Sequence, residues 1–155
     1  ARLALAHLQG CRQVADLFCG VGTFAFRLAR HHATHAVEND ASSLAALDRA
    51  QRAASGLKPL TSERRDLFRR PLTAKELKRF DGVLFDPPRA GAEAQARQLA
   101  ESSVRRVVAV SCNPLTLARD ARILVDGDYR LTEVTPIDQF LWSHHVEAVA
   151  LFERV

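Results

Sequence analysis

The sequence predicts an α/β fold: a doubly wound, mostly parallel seven-stranded sheet with an antiparallel C-terminal strand. Three observations carry this. Short β-branched apolar runs alternate along the chain with stretches of helical period. The last two apolar runs follow one another with no helix between them, the pattern of antiparallel neighbours. The chain has 155 residues, 47% hydrophobic and 26% charged, a composition that fits one globular domain over residues 1–155 and excludes a disordered or low-complexity chain.

The elements follow in order. Arg2–Leu8 reads as a helix and Gln13–Phe18 as the first strand. Thr23–His31 is helical, with Phe24 and Leu28 one turn apart, and His35–Glu38 is the second strand. Asn39 or Asp40 then offers a side-chain cap for a helix to Ala54, which turns Leu44 and Leu47 inward and stops at Gly56. A third, weaker strand spans Leu60–Arg64, and Thr73–Arg79 forms a short helix. Gly82–Phe85 is a strand stopped by Pro87-Pro88, because proline lacks the N–H a sheet ladder needs. Ala92–Ser102 is helical, Arg106–Ser111 is a buried strand, and Leu115–Val125 is a helix facing the core with Ala118, Ala121 and Leu124 or Val125. Tyr129–Pro136 and Val146–Phe152 complete the set.

Chemistry concentrates where strands end. In Asp16-Leu-Phe-Cys-Gly-Val-Gly-Thr-Phe24 a strand turns into a helix, and Gly20 and Gly22 let the backbone turn tightly and approach a ligand. Glu38 ends the next strand 18 residues after Gly20, the place from which a carboxylate accepts ribose hydroxyls in nucleoside-binding sheets. Ala25 stands where a dinucleotide fingerprint wants its third glycine, and Thr23 and Phe24 crowd the helix start, which favours S-adenosylmethionine over NAD. Asp66, after the third strand, is read as an acceptor for the adenine amino group, with a solvated loop acid the plain alternative.

The Asp86-Pro-Pro-Arg-Ala-Gly91 corner is stiff and holds Asp86 and Arg89 at the carboxyl edge of the sheet. Amino-group methyltransferases carry an aromatic residue after a similar corner; Arg89 argues against their chemistry. Cys112, in Ser111-Cys-Asn-Pro114, leaves the fifth strand just before a helix, and a helix N-terminus favours a thiolate. Glu147 opens an otherwise apolar strand, where burial would raise a carboxylate toward general-base range.

Cys11, Cys19 and Cys112 form no C-x-x-C pair, so neither a disulfide framework nor a metal site is expected, and a reducing, cytoplasmic setting fits. His31, His32 and His35 read as a solvated basic cluster at a helix end and turn. His144 and His145 are adjacent and point to opposite faces of an extended strand, so that one of them can line a pocket. A net charge of +4 is compatible with a polyanionic partner without demanding one. No apolar run approaches the ~18 residues of a membrane span.

Four motifs in order resemble the catalytic domain of RNA uracil-5-methyltransferases: Asp16–Phe24, Asp86–Gly91, Ser111-Cys-Asn-Pro-Leu-Thr-Leu-Ala-Arg-Asp120 and Asp138-Gln-Phe-Leu-Trp-Ser-His-His-Val-Glu147. The resemblance implies a class I, Rossmann-like methyltransferase that uses S-adenosylmethionine to make 5-methyluridine in tRNA or large-subunit rRNA. It implies Cys112 as nucleophile, Glu147 as proton acceptor, and Phe18, Thr23, Glu38, Asp66 and Asp86 around cofactor and substrate. Arg89 is read as a donor to the enolate oxygen. The upstream Gln, the OB-like RNA-binding domain and the iron–sulfur site of family members are not in these residues. With methionine absent, a segment of a longer protein is expected. Two alternatives stand beside this reading: an RNA cytosine-5-methyltransferase, disfavoured because its Cys beside the Asp-x-Pro corner is missing, and a non-catalytic cofactor- or RNA-binding module.

Overall fold

A computed structural model describes residues 1–137 and 146–155; the motif stretch 138–145, with His144 and His145, lies outside the described residues. The chain order is α1 (Arg2–His7), β1 (Gln13–Leu17), α2 (Ala25–Ala29), β2 (Ala33–Glu38), α3 (Ala41–Ala53), β3 (Leu60–Arg64), α4 (Ala74–Leu77), β4 (Gly82–Phe85), α5 (Glu93–Ala100), β5 (Arg106–Ser111), α6 (Pro114–Asp126), β6 (Tyr129–Ile137) and β7 (Glu147–Arg154). The strands form one sheet in the order β3-β2-β1-β4-β5-β7-β6. All pairings from β3 to β5 are parallel, while β7 runs antiparallel to both β5 and β6. The predicted fold class is the observed one.

Local chemistry explains the boundaries. Asp40 caps α3 by accepting the Ser43 N–H at 2.7 Å, and Thr73 and Glu76 close a reciprocal capping box on α4. Asn113 caps α6 from its side chain with Pro114 in the first turn, where a missing N–H costs nothing. β4 is central, and all four of its residues are buried, which is why it reads as an unbroken apolar run. Phe85, Phe152 and Tyr129 anchor the larger core cluster, and the Tyr129 hydroxyl donates to the Val104 carbonyl at 2.6 Å. Truncating a buried phenylalanine such as Phe85 to alanine costs about 3–5 kcal/mol.

Three expectations are corrected. α2 starts at Ala25 rather than Thr23, because residues 21–24 remain a turn tied by the Gly22 N–H to the Cys19 carbonyl at 2.9 Å. On α6, Ala121 and Leu124 face the core as expected, joined by Leu117 and Asp120, whereas Ala118 and Val125 are exposed. The three histidines are not a solvated cluster. His31 is exposed, but His32 is buried with Nδ1 2.8 Å from the Cys11 carbonyl oxygen. His35 belongs to β2, stacks on Phe80, and pairs with Thr61 and Glu63, and burial pulls its pKa down.

Candidate active site

The strand order reverses between β1 and β4, whose carboxyl ends therefore flank a crevice, the usual ligand position in such sheets. Here that crevice is a cavity of about 680 Å³. Phe18, Glu38, Asp66 and Asp86 line it as expected; Asn39, Asp40, Arg64, Leu67, Phe68 and Pro87 line it as well and had not been singled out. Asp16, Gly20, Gly22 and Thr23 are not part of that lining. Thr23 is exposed in the turn, and Gly22 is buried with φ +94°.

Phe18 follows β1 directly in a left-handed conformation, φ 61°, which is costly for a residue with a β-carbon. It is held there from both sides. The Cys19 N–H donates to the Val37 carbonyl at 3.1 Å, and the Phe18 ring packs on Phe68 with centroids 5.3 Å apart. Glu38 braces the same loop: its carboxylate accepts the N–H groups of Gly20 at 2.9 Å, Asn39 at 2.7 Å and Asp40 at 2.9 Å. A carboxylate has about four acceptor positions, so Glu38 can still receive a ligand hydroxyl. Asp66 closes its own turn by accepting the Phe68 N–H at 3.0 Å, and Arg69 lies 3.7 Å from its other oxygen.

Beneath the cavity, Asp16 is fully buried, and neither carboxylate oxygen has a hydrogen-bond partner among the described residues. Desolvation first, then the charges of Asp86 and Glu38, push its pKa well above the usual carboxylate range. Asp86, at the end of β4, is raised from 3.8 to about 6 by burial and by Glu147. The carboxylates of Asp16, Glu38 and Asp86 crowd together here, which fits an occupant that carries positive charge and hydroxyl donors. S-adenosylmethionine has both, in its sulfonium, ammonium and ribose.

The second half of the site comes from β5 and β7. Their antiparallel register pairs Ser111 with Ala148, so Cys112, which follows β5, and Glu147, which opens β7, leave the two strands at the same edge of the sheet. Both side chains are half-buried, so the thiol is not sealed in the core. Glu147 acts electrostatically on Asp86, which rims the cavity. Cys112, Glu147 and Asp86 thus gather at the carboxyl edge of the sheet. All three cysteines are free thiols, and Cys11 and Cys19 are buried; burial raises both pKa values. Among the described residues no group of three or more potential ligands could hold a metal ion, and no helix is long and apolar enough to cross a membrane.

The corner carrying Arg89 is bound to the segment after Cys112. The Asn113 amide and the Thr116 hydroxyl donate to the Arg89 carbonyl at 3.0 and 3.2 Å, and Arg119 donates to the Ala90 carbonyl at 3.0 Å. A β-carbon on Gly91, whose φ is +78°, would stand 2.6 Å from the Arg119 guanidinium and 2.8 Å from Asp120. Asn113, Thr116, Arg119 and Asp120 belong to the motif quoted above, but the sequence assigned them no individual role. Their signal was a polar stripe at helical spacing on the helix after Cys112.

The family described as tRNA (Uracil-5-)-methyltransferase matches residues 4–155. An uncharacterized RNA methyltransferase of Brucella melitensis is 66% identical over 99% of the chain and 37% of that protein. The 23S rRNA (uracil(1939)-C(5))-methyltransferase RlmD of Hahella chejuensis is 40% identical over 94% of the chain and 34% of that protein. The chain thus spans little more than a third of these relatives' length. Among solved structures, the Pyrococcus abyssi tRNA (uracil-54, C5)-methyltransferase in complex with S-adenosyl-L-homocysteine superposes with a TM-score of 0.83 at 31% identity, over 97% of this chain and 36% of that one.

Proposed function

The chain belongs to the tRNA (uracil-5-)-methyltransferase family, and from that premise we propose that it is the catalytic domain of an enzyme that methylates carbon 5 of a uridine in tRNA or rRNA. The observation that supports the reading is the pairing of Ser111 with Ala148, which brings the strand ends carrying Cys112 and Glu147 to the edge where Asp86 rims the cavity. The same reading places its work in the cytoplasm, where Cys112 stays a thiol.

The residue types suit the chemistry. Carbon 5 of uracil is a poor nucleophile. Addition of the Cys112 thiolate to carbon 6 forms a carbon–sulfur bond and moves the ring's electron pair into an enolate, which makes carbon 5 electron-rich. Glu38, Asp66 and the loop around Phe18 would hold S-adenosylmethionine, whose sulfonium would give its methyl group to carbon 5 and remain as the neutral thioether S-adenosylhomocysteine. Glu147 then takes the proton from carbon 5, the electron pair returns to form the 5,6 double bond, and Cys112 leaves as thiolate. Asp86 and Arg89 hold the base, Arg89 as donor to the enolate oxygen. A stacked, paired uridine cannot present carbon 6 to a thiol, so the target is flipped out or single-stranded.

The test is incubation of the full-length protein with S-adenosylmethionine and RNA carrying 5-fluorouridine. Fluorine cannot leave as a proton, so a methylated covalent complex should persist through denaturing electrophoresis. No shifted species with wild-type protein, while the protein still binds RNA and cofactor, overturns the covalent route.

A further inference from the structure

Among the described residues, Phe68 alone borders both the 680 Å³ cavity and a second cleft of about 360 Å³, lined with it by Ala90, Gly91, Glu93, Arg97 and Arg119. The Pro87–Gly91 corner runs between the two: Pro87 and Pro88 face the first, Ala90 and Gly91 the second. Phe68 is 48% exposed, unusual for a phenylalanine, and the Arg97 side chain is 62% exposed. Phe68 buttresses Phe18 from one side only, and Arg97 has no part in the chemistry above.

We propose that this second cleft holds the nucleotide next to the target uridine in the RNA strand; the assignment rests on the RNA-methylating reading. Unpaired bases stack on aromatic rings and on guanidinium planes, and arginine binds the phosphate between bases. Phe68 supplies the ring at the mouth of the catalytic cavity. Arg97 supplies the cation. Glu93 pairs with Arg97 at 2.7 Å and lies 3.5 Å from Arg119, but exposed pairs of this kind are weak and yield to a phosphate. Arg119 is already engaged by the buried Asp120, so Arg97 is the cation available for exchange, with Arg69 and Arg70 exposed on the Phe68 turn. A strand whose target base sits beside Cys112 and Asp86, at the rim of the first cavity, passes its neighbour over the Pro87–Gly91 corner into the second.

The test measures binding of a single-stranded, uridine-containing RNA to the full-length protein across a salt series, with S-adenosylhomocysteine binding as a fold control. Phe68→Leu should weaken RNA binding about tenfold, as expected for one lost stacking contact, while Phe68→Trp retains it. Arg97→Gln, at a residue that does not line the 680 Å³ cavity, should lower the slope of log affinity against log salt by about 0.7 and leave S-adenosylhomocysteine affinity unchanged. Either Phe68→Leu or Arg97→Gln behaving as wild type overturns the assignment. Methyl incorporation by the wild type separates the two claims: a methylating wild type with indifferent variants sinks the cleft alone. A wild type that binds RNA with these dependences but methylates no uridine sinks the parent reading.

Discussion

The Oδ2 atom of Asp120 accepts the backbone N–H of Ala92 at 2.6 Å, while its Oδ1 atom takes the Arg119 guanidinium at 2.8 Å. One buried carboxylate on α6 thereby fixes the start of α5, and with it the corner that carries Asp86 and Arg89. Asp120→Ala strands a buried amide and half-releases Arg119, a loss of about 2–3 kcal/mol in stability by urea unfolding. Turnover should fall further than S-adenosylhomocysteine affinity, because the displaced corner belongs to the uridine side of the site. Thr116→Val removes a single bond to the Arg89 carbonyl and should cost about 1 kcal/mol.

Cys112 and Glu147 should fail in different ways. Cys112→Ala ends both adduct formation and methyl transfer while cofactor affinity holds. Glu147→Gln leaves the nucleophile in place and slows release, by about 10²–10⁴-fold for a lost general base. Ordinary uridine RNA should then accumulate as a covalent, methylated complex on Glu147→Gln, visible by denaturing electrophoresis with labelled methyl groups. Rapid turnover by this variant would reassign the proton acceptor.

Asp86 sets a pH dependence of stability. Its carboxyl is raised from 3.8 to about 6, chiefly by burial and then by Glu147, so the folded protein keeps the proton over a range where the unfolded chain has lost it. Folded protein therefore binds more protons between about pH 4 and 6, and stability falls as pH rises through that window. Above it the penalty is constant, about 2 kcal/mol after allowance for partial exposure. Asp86→Asn should remove the decline: urea unfolding at pH 4.5 and 7.5 should show the variant gaining on wild type as pH rises. A pH-independent difference would contradict the shift.

Gly22 tests the loop. A β-carbon there would lie 2.9 Å from the Phe26 ring and 3.1 Å from Leu47, at a φ of +94° that side chains resist. Gly22→Ala should cost about 2 kcal/mol or more and weaken cofactor binding, measured by thermal unfolding with and without S-adenosylhomocysteine.

The sheet was legible because its strands are what periodicity reports best: β4 and β5 are buried apolar runs ended by prolines or polar residues. Strand ends in turn located Phe18, Glu38, Asp86 and Cys112. The rest depends on contacts that pattern does not encode. His32 looked solvated because its partner, the Cys11 carbonyl, lies 21 residues away. Glu38 looked like a ligand acceptor and also braces Gly20, a backbone bond with no sequence signature. Phe68 looked like one more apolar residue after a strand; its exposure follows from the turn that Asp66 closes. The Thr116–Asp120 clamp was hidden because its targets are main-chain atoms of another motif.

The placement of β7 between β5 and β6 bears on how the protein is made. During synthesis β6 emerges before β7 and has no sheet partner to join, while β5 leaves the ribosome with a bare hydrogen-bonding edge. Only when β7 wedges in are both satisfied, and that same event brings Glu147 to the sheet edge that Cys112 leaves. A nascent chain therefore holds an unmatched thiol until β7 is threaded, and stalled or clipped polypeptides ending before that strand should be inert toward RNA and prone to edge-to-edge association.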